Sequence, residues 1–220
     1  TGFITGGRFS SEVPEKYCAE GYAPATLDEE TNQYTVKPVV ATISSGDDVQ
    51  NFTTLAEAVE AAKTGDTVTV IKDTTIGDDD TITISEGVTL TVSDGVTFTN
   101  KGTIDVYGTL TNADSIEDEG TIKYHVQNIT ISSETLTLKV DETKILTATT
   151  NPANAVDEIT WSSSDEKIAT VDKNGKITAV AAGEVTITAA ANNKTATCTV
   201  TISKKDAPAA PTDIAGVNET

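Results

Sequence analysis

The chain has 220 residues, with 15 Lys and Arg against 34 Asp and Glu, a formal net charge of −19 and 5 % aromatics. A chain this acidic repels nucleic-acid backbones and anionic membrane surfaces. No apolar run approaches the roughly 20 residues of a membrane span, so neither nucleic acid nor membrane insertion is expected for this sequence. Residues 1–125 hold 22 Asp and Glu against 7 Lys and Arg, and residues 126–220 hold 12 against 8; a solvated surface accounts for this excess. With Thr1 at its start and no secretory leader, the sequence reads as a segment of a longer exported protein.

Residues 1–38 read as an irregular connector, with aromatics at Phe3, Phe9, Tyr17, Tyr22 and Tyr34. A hairpin is expected around Asp28–Asn32, ending in a strand at Tyr34–Val36. The stretch Gly2–Ser10 resembles the last corner of a preceding solenoid. Tyr17-Cys18-Ala19-Glu20-Gly21-Tyr22 and Tyr34-Thr35-Val36 resemble a connector repeated in large bacterial surface proteins.

Residues 39–125 predict a helix followed by many short strands. Leu55, Ala58, Val59 and Ala62 share one helical face over 55–63. Thr54 and Glu57 have the spacing of a capping box, and Gly65 suits the left-handed position past a helix end. Beyond it, apolar residues occupy even positions: Val68, Val70, Ile76, Ile82, Ile84, Val88, Leu90, Val92, Val96, Phe98, Ile104, Val106, Leu110, Ile116 and Ile122. Thr or a charge fills most odd ones. Alternation of period two buries one face of each strand. Gly at 87, 95, 102, 108 and 120 leaves strands of only about four or five residues, shorter than sandwich turn spacing allows. That pattern predicts a parallel β-solenoid of two to three rungs, with Thr stacked outside and aliphatics inside. The order of an amphipathic helix and then Lys63-Thr64-Gly65-Asp66-Thr67-Val68-Thr69-Val70 resembles the start of right-handed, pectate-lyase-type β-helix proteins. In those, such a helix plugs the open end of the coil.

Residues 126–203 predict longer strands, at about 127–132, 135–140, 143–149, 158–163, 168–171, 176–180, 184–190 and 195–202. Asp172-Lys173-Asn174-Gly175 is a hairpin signal, since Asn-Gly favours positive φ at both turn positions. Ile159 and Trp161 share a face, which places the only Trp in the core. Cys198 lies on one face with Ala196, Val200 and Ile202 and reads as a small buried thiol. Cys18 is remote from it, and two Cys with one His cannot supply the usual zinc ligands. Several stretches, in their order and spacing, resemble the bacterial Ig-like domain of group 2: Leu138–Thr143, Ala148–Ala155 with its Asn151-Pro152, Ile159–Asp165, Ile168–Asp172 and Gly175–Gly183. The resemblance implies a β-sandwich of the kind carried in tandem by intimin- and invasin-like adhesins, and as an accessory to carbohydrate-active enzymes. It does not imply catalysis. Residues 204–220, rich in Pro and Ala, read as a flexible linker.

Few residues read as candidates for chemistry. Lyases built on such a coil resemble one another in needing calcium-holding carboxylates and an Arg or Lys base. Here the segment has no Arg, and Lys72, Lys101 and Lys123 are isolated. Asp94 and Asp105 are the pair that rungs could bring together for hydrolysis. Acidic turns at Asp47–Asp48, Asp78–Asp80 and Glu117–Glu119 make calcium the one cation left open, without an Asp-x-Asp-x-Asp-Gly spacing. Tyr107 and Tyr124 are the aromatics that could stack on a sugar, and His125 reads as an ordinary interface residue of the junction, with a pH-sensitive hinge as the alternative.

The expected fold is therefore all-β: a short helix-capped parallel β-solenoid followed by an immunoglobulin-like β-sandwich. The expected role is that of a non-catalytic, extracellular cell-surface or adhesion fragment acting as a stalk or binding module. No catalytic, cofactor-binding or metal residue is assigned, and no cofactor. A host or bacterial glycan or surface protein, and neighbouring repeats of the same long chain, are the expected partners. The alternatives are an accessory glycan-binding region of a carbohydrate-active enzyme and a degenerate polysaccharide lyase.

Overall fold

The computed structural model describes residues 2–28 and 30–206. Of the linker expected at 204–220, residues 207–220 lie outside the described residues. Two compact units are present. One runs up to Gln127 and takes in Asn151–Asp157; the other comprises Asn128–Thr150 and the residues from Glu158 on.

In the first unit the even-position rule produces nine short strands on three ladders. Thr67–Val70, Thr89–Val92 and Thr109–Leu110 form the first. Thr74–Ile76, Phe98–Asn100 and Ile116–Asp118 form the second. Thr81–Ile84, Thr103–Val106 and Thr121–Tyr124 form the third. All pairing within these ladders is parallel, and the chain visits them in the same order three times. In register, Thr81, Thr103 and Thr121 make one column, and Ile82, Ile104 and Ile122 make the next. Val68 and Leu90 are completely buried, as are Ile84, Ile104 and Val106, all in one core with Ile82 and Phe98. The three ladders belong to three separate sheets.

The helix is Leu55–Ala61, two residues shorter than expected. Thr54 Oγ1 accepts the Glu57 N–H at 3.2 Å. The Glu57 carboxylate accepts the hydroxyls of Thr54 at 2.9 Å and Thr53 at 3.3 Å. The helix stops early because the Lys63 N–H donates to the Asp66 carboxylate at 2.9 Å, turning the chain away, with Ala62 already extended at ψ 142°. Gly65, at φ +96°, serves that turn rather than the helix end, and its N–H reaches Gly87 O at 2.8 Å. Leu55, Ala58 and Val59 are buried against the first rung. Unforeseen is a hairpin of Ala41–Ser45 and Asp48–Phe52, whose first strand pairs antiparallel with Thr67–Val70. Helix and hairpin thus both join the core at the first strand, Thr67–Val70.

Residues 1–38 are more regular than expected. Tyr22–Asp28 and Gln33–Pro38 form the hairpin, with Asn32 at φ +51°, and Arg8–Phe9 adds a third strand. Cys18 is buried here with Val13 and Val36.

The second unit contains a four-stranded sheet ordered Thr135–Lys139, Lys194–Ser203, Gly183–Ala191, Thr160–Ser163. A three-stranded sheet runs Thr143–Ile145, Lys176–Ala179, Ala169–Val171, and Asn128–Ile131 pairs with Ala148–Asn151. Leu146, Ile177, Ile187, Cys198 and Val200 fill the space between, each at most 1 % exposed. The single strand expected at 143–149 is two strands in different sheets. Leu146 N–H bonds Gly175 O at 2.9 Å, while Ser132 N–H bonds Thr147 O at 2.9 Å, so the chain crosses over between them. In the Asp172–Gly175 turn only Gly175 takes a positive φ, because the Asp172 carboxylate accepts the N–H groups of Asn174 and Lys176 at 2.8 and 2.9 Å. The turn with two positive φ residues is Asn192-Asn193, at +44° and +59°. Trp161 is half-buried, lying on the core's border against Gly175.

Two glycines test this account. A Cβ on Gly102 would stand 2.3 Å from both Asp80 O and Gly77 O. One on Gly175 would stand 2.2 Å from Leu146 O, with φ +75° besides. Gly102→Ala and Gly175→Ala should each cost about 1–3 kcal/mol in urea unfolding, the range for overpacking. Gly6→Ala, with nothing within 4 Å of the added carbon, should stay within about 0.5 kcal/mol of the parent.

Candidate functional site

The strand Thr103–Val106 and the residues after Thr121–Tyr124 bring together the most interconnected polar group of the first unit. The Tyr107 and His125 rings stack with centroids 3.9 Å apart and planes 1° from parallel. His125 Nδ1 lies 3.1 Å from Asp157 Oδ1, and Nε2 lies 3.4 Å from Asp105 Oδ1. The side chains of His125, Asp105 and Asp157 are 12 %, 23 % and 19 % exposed. Asp157 Oδ2 also accepts the Val126 N–H at 2.6 Å. Around this group, residues 151–157 lie along the last rung: Val156 N–H donates to Tyr124 O at 2.8 Å and Gln127 N–H to Asn151 O at 2.9 Å. The Gln127 side-chain amide donates to Gly108 O.

Nothing in the sequence pattern pointed to Asp157. It lies 32 residues from His125, outside any alternating strand, and periodicity is silent on polar partners. Asp105, two residues before Tyr107, stood out in the sequence only as a partner for Asp94, not for His125.

The other candidates are placed apart. Asp105 faces Thr83 and Lys123 in register and reaches His125, whereas Asp94 is exposed in the turn between Ser93 and Val96. The structure does not assemble them as a pair. Asp80 accepts the Gly77 N–H at 3.2 Å, Glu117 the Thr99 hydroxyl at 3.2 Å, and Asp118 the amide of buried Asn100 at 2.7 Å. Glu119 pairs with Lys101 at 3.4 Å. These carboxylates are engaged locally, and among the described residues no three His, Cys, Asp or Glu are gathered as metal ligands would be. A cleft of about 390 Å³ beside the helix is lined by Thr53, Thr54, Thr74, Thr75 and Thr81, with Asp80 its one carboxylate. Val40, Leu55, Ala56, Ile76 and Ile82 line the rest of it, and this mixed wall with a single carboxylate does not favour a lyase groove. Tyr107 has one face covered by His125, and Tyr124 packs against the core. Burial, then Asp118 and Asp114, push the Tyr124 phenol up. Neither ring is the free platform that sugar stacking asks for. Cys18 and Cys198 are free and buried, and burial pushes both thiols up, with Glu15 adding to the effect at Cys18.

Residues 125–201 match the family model of the Bacterial Ig-like domain (group 2). Lacto-N-biosidase of Bifidobacterium bifidum is 45 % identical over 83 residues, 37 % of this chain and 8 % of that protein. The 3-O-alpha-D-galactosyl-alpha-L-arabinofuranosidase of Bifidobacterium longum subsp. longum is 39 % identical over 94 residues, 38 % of this chain and 8 % of that protein. The chain thus spans less than a tenth of the length of either relative. Domains 1–6 of the surface layer protein SbsC are 19 % identical at a TM-score of 0.34, over 40 % of this chain and 15 % of that one. No helix of the described residues is long and apolar enough to cross a membrane.

Burial acts to raise the Asp157 carboxyl, but the Val126 N–H and the His125 ring outweigh it and hold the group below its ordinary value. A carboxyl depressed on folding contributes stability that is complete above its unfolded value and is lost as pH falls through the folded one. The acid limb of thermal unfolding, below about pH 4, should therefore be shallower in Asp157→Asn than in the parent. Equal slopes in the two proteins would remove Asp157 from the account.

Proposed function

We propose that the chain is a non-catalytic accessory and spacing module of a larger extracellular protein that acts on or lies among glycans. The observation that carries this reading is the match of 125–201 to the Ig-like family, together with partial relatives named as glycosidases, of which the module is a small part. In this reading the coil and the sandwich extend or present neighbouring parts of the long chain. The four-part division into a connector at 1–38, a helix-capped β-solenoid at 39–125, a sandwich at 126–203 and a linker at 204–220 belongs to the same proposal. The engaged state of Tyr107 and Tyr124 supports spacing over glycan recognition.

An array of galactosyl and arabinofuranosyl glycans, incubated with the purified chain, tests this. Retention no tighter than about 1 mM and no released sugar are expected. Micromolar retention abolished by Tyr107→Ala would replace spacing with glycan binding, and turnover of any glycan would end the non-catalytic reading.

A further inference from the structure

We infer that Asp105, His125 and Asp157 form a proton-dependent clasp holding residues 151–157 against the last rung of the coil. The clasp is closed while the His125 ring carries two N–H groups and loosened when it carries one.

The inference rests on what each nitrogen faces. Ionised carboxylates only accept hydrogen bonds, while a neutral imidazole offers one donor and one lone pair. His125 has a carboxylate at each nitrogen, 3.1 Å from Nδ1 and 3.4 Å from Nε2. Only the imidazolium, with two donors, satisfies both. In the neutral ring one nitrogen presents a lone pair to a carboxylate oxygen, acceptor against acceptor, in a site where all three side chains are largely shielded from water. The two carboxylates sit at opposite ends of the ring, so they cannot converge on one metal ion. The Tyr107 ring, stacked flat on the imidazole, fixes its plane and gains attraction when the ring is charged.

The groups facing His125 come from three places. Asp105 lies on Thr103–Val106 with Tyr107 directly after it, and Asp157 lies on the 151–157 segment. Lys123, the register neighbour of Asp105, and Tyr124 precede His125 in the chain, and Glu158 follows Asp157. Asp157 transmits the state of the ring because its other oxygen takes the Val126 N–H, beside Val156 N–H on Tyr124 O. Loss of the ring's second proton turns one of its two contacts from donor–acceptor into acceptor–acceptor, which weakens the hold on this segment.

Hydrogen exchange of the Val126 and Val156 amides in the intact chain, corrected for intrinsic rates, reads the closure directly. Between about pH 5 and about pH 8, protection should fall about tenfold or more with rising pH. In Asp105→Asn, whose amide serves a lone pair or an N–H alike, the fall should shrink to near nothing. His125→Gln should show low protection at both values. If that variant does not fold, Asp105→Asn decides. Equal protection of the parent at the two pH values would overturn the clasp, as would an undiminished fall in Asp105→Asn.

Discussion

The first unit depends on one constraint: side chains of the same kind must meet in register, rung above rung. Ile82 over Ile104 over Ile122 gives a continuous apolar column, and Thr81 over Thr103 over Thr121 gives its outward counterpart. A slip of one residue in any strand would turn Thr into the core and Ile to water. The glycine corners enforce the register from outside the strands. Gly102 and Gly120 have room only for hydrogen where neighbouring rungs approach, and a side chain at either would meet backbone oxygen at 2.3 Å.

The second unit meets the same need with longer strands and antiparallel pairing. Every residue of Gly183–Ala191 has a partner in Lys194–Ser203 across the Asn192-Asn193 turn. Their inward faces place Val185, Ile187, Cys198 and Val200 in one core with Ile177. Cys198 is a filler there, and packing holds the sheets together without a covalent link.

Much of this was legible in the sequence because alternation reports burial directly. The even-position residues from Val68 to Ile122 all join one core, and the strand order after residue 126 follows the predicted one closely. What escaped reading was decided by hydrogen bonds. The Asp66 carboxylate shortens the helix, the Asp172 carboxylate sets the conformation of its turn, and Ser132 and Gly175 divide one expected strand between two sheets. The Ala41–Phe52 hairpin escaped because its second strand is mostly exposed and carries little apolar signal. The polar group around His125 escaped because Asp157 comes from a distant loop. Its assembly depends on where that loop lands, which no local pattern encodes.

The loop at 151–157 has a consequence for where this chain can be divided. Family likeness starts the Ig-like domain at residue 125, yet the strand Thr121–Tyr124 finds a backbone partner in Val156, thirty-odd residues further on. Scission at that point would part the loop from this strand and leave the Tyr124 carbonyl, at the edge of a parallel sheet, without its Val156 partner, and open edges recruit other chains. The homology border and the folding border of this polypeptide are therefore different places, and a soluble half would have to keep the loop.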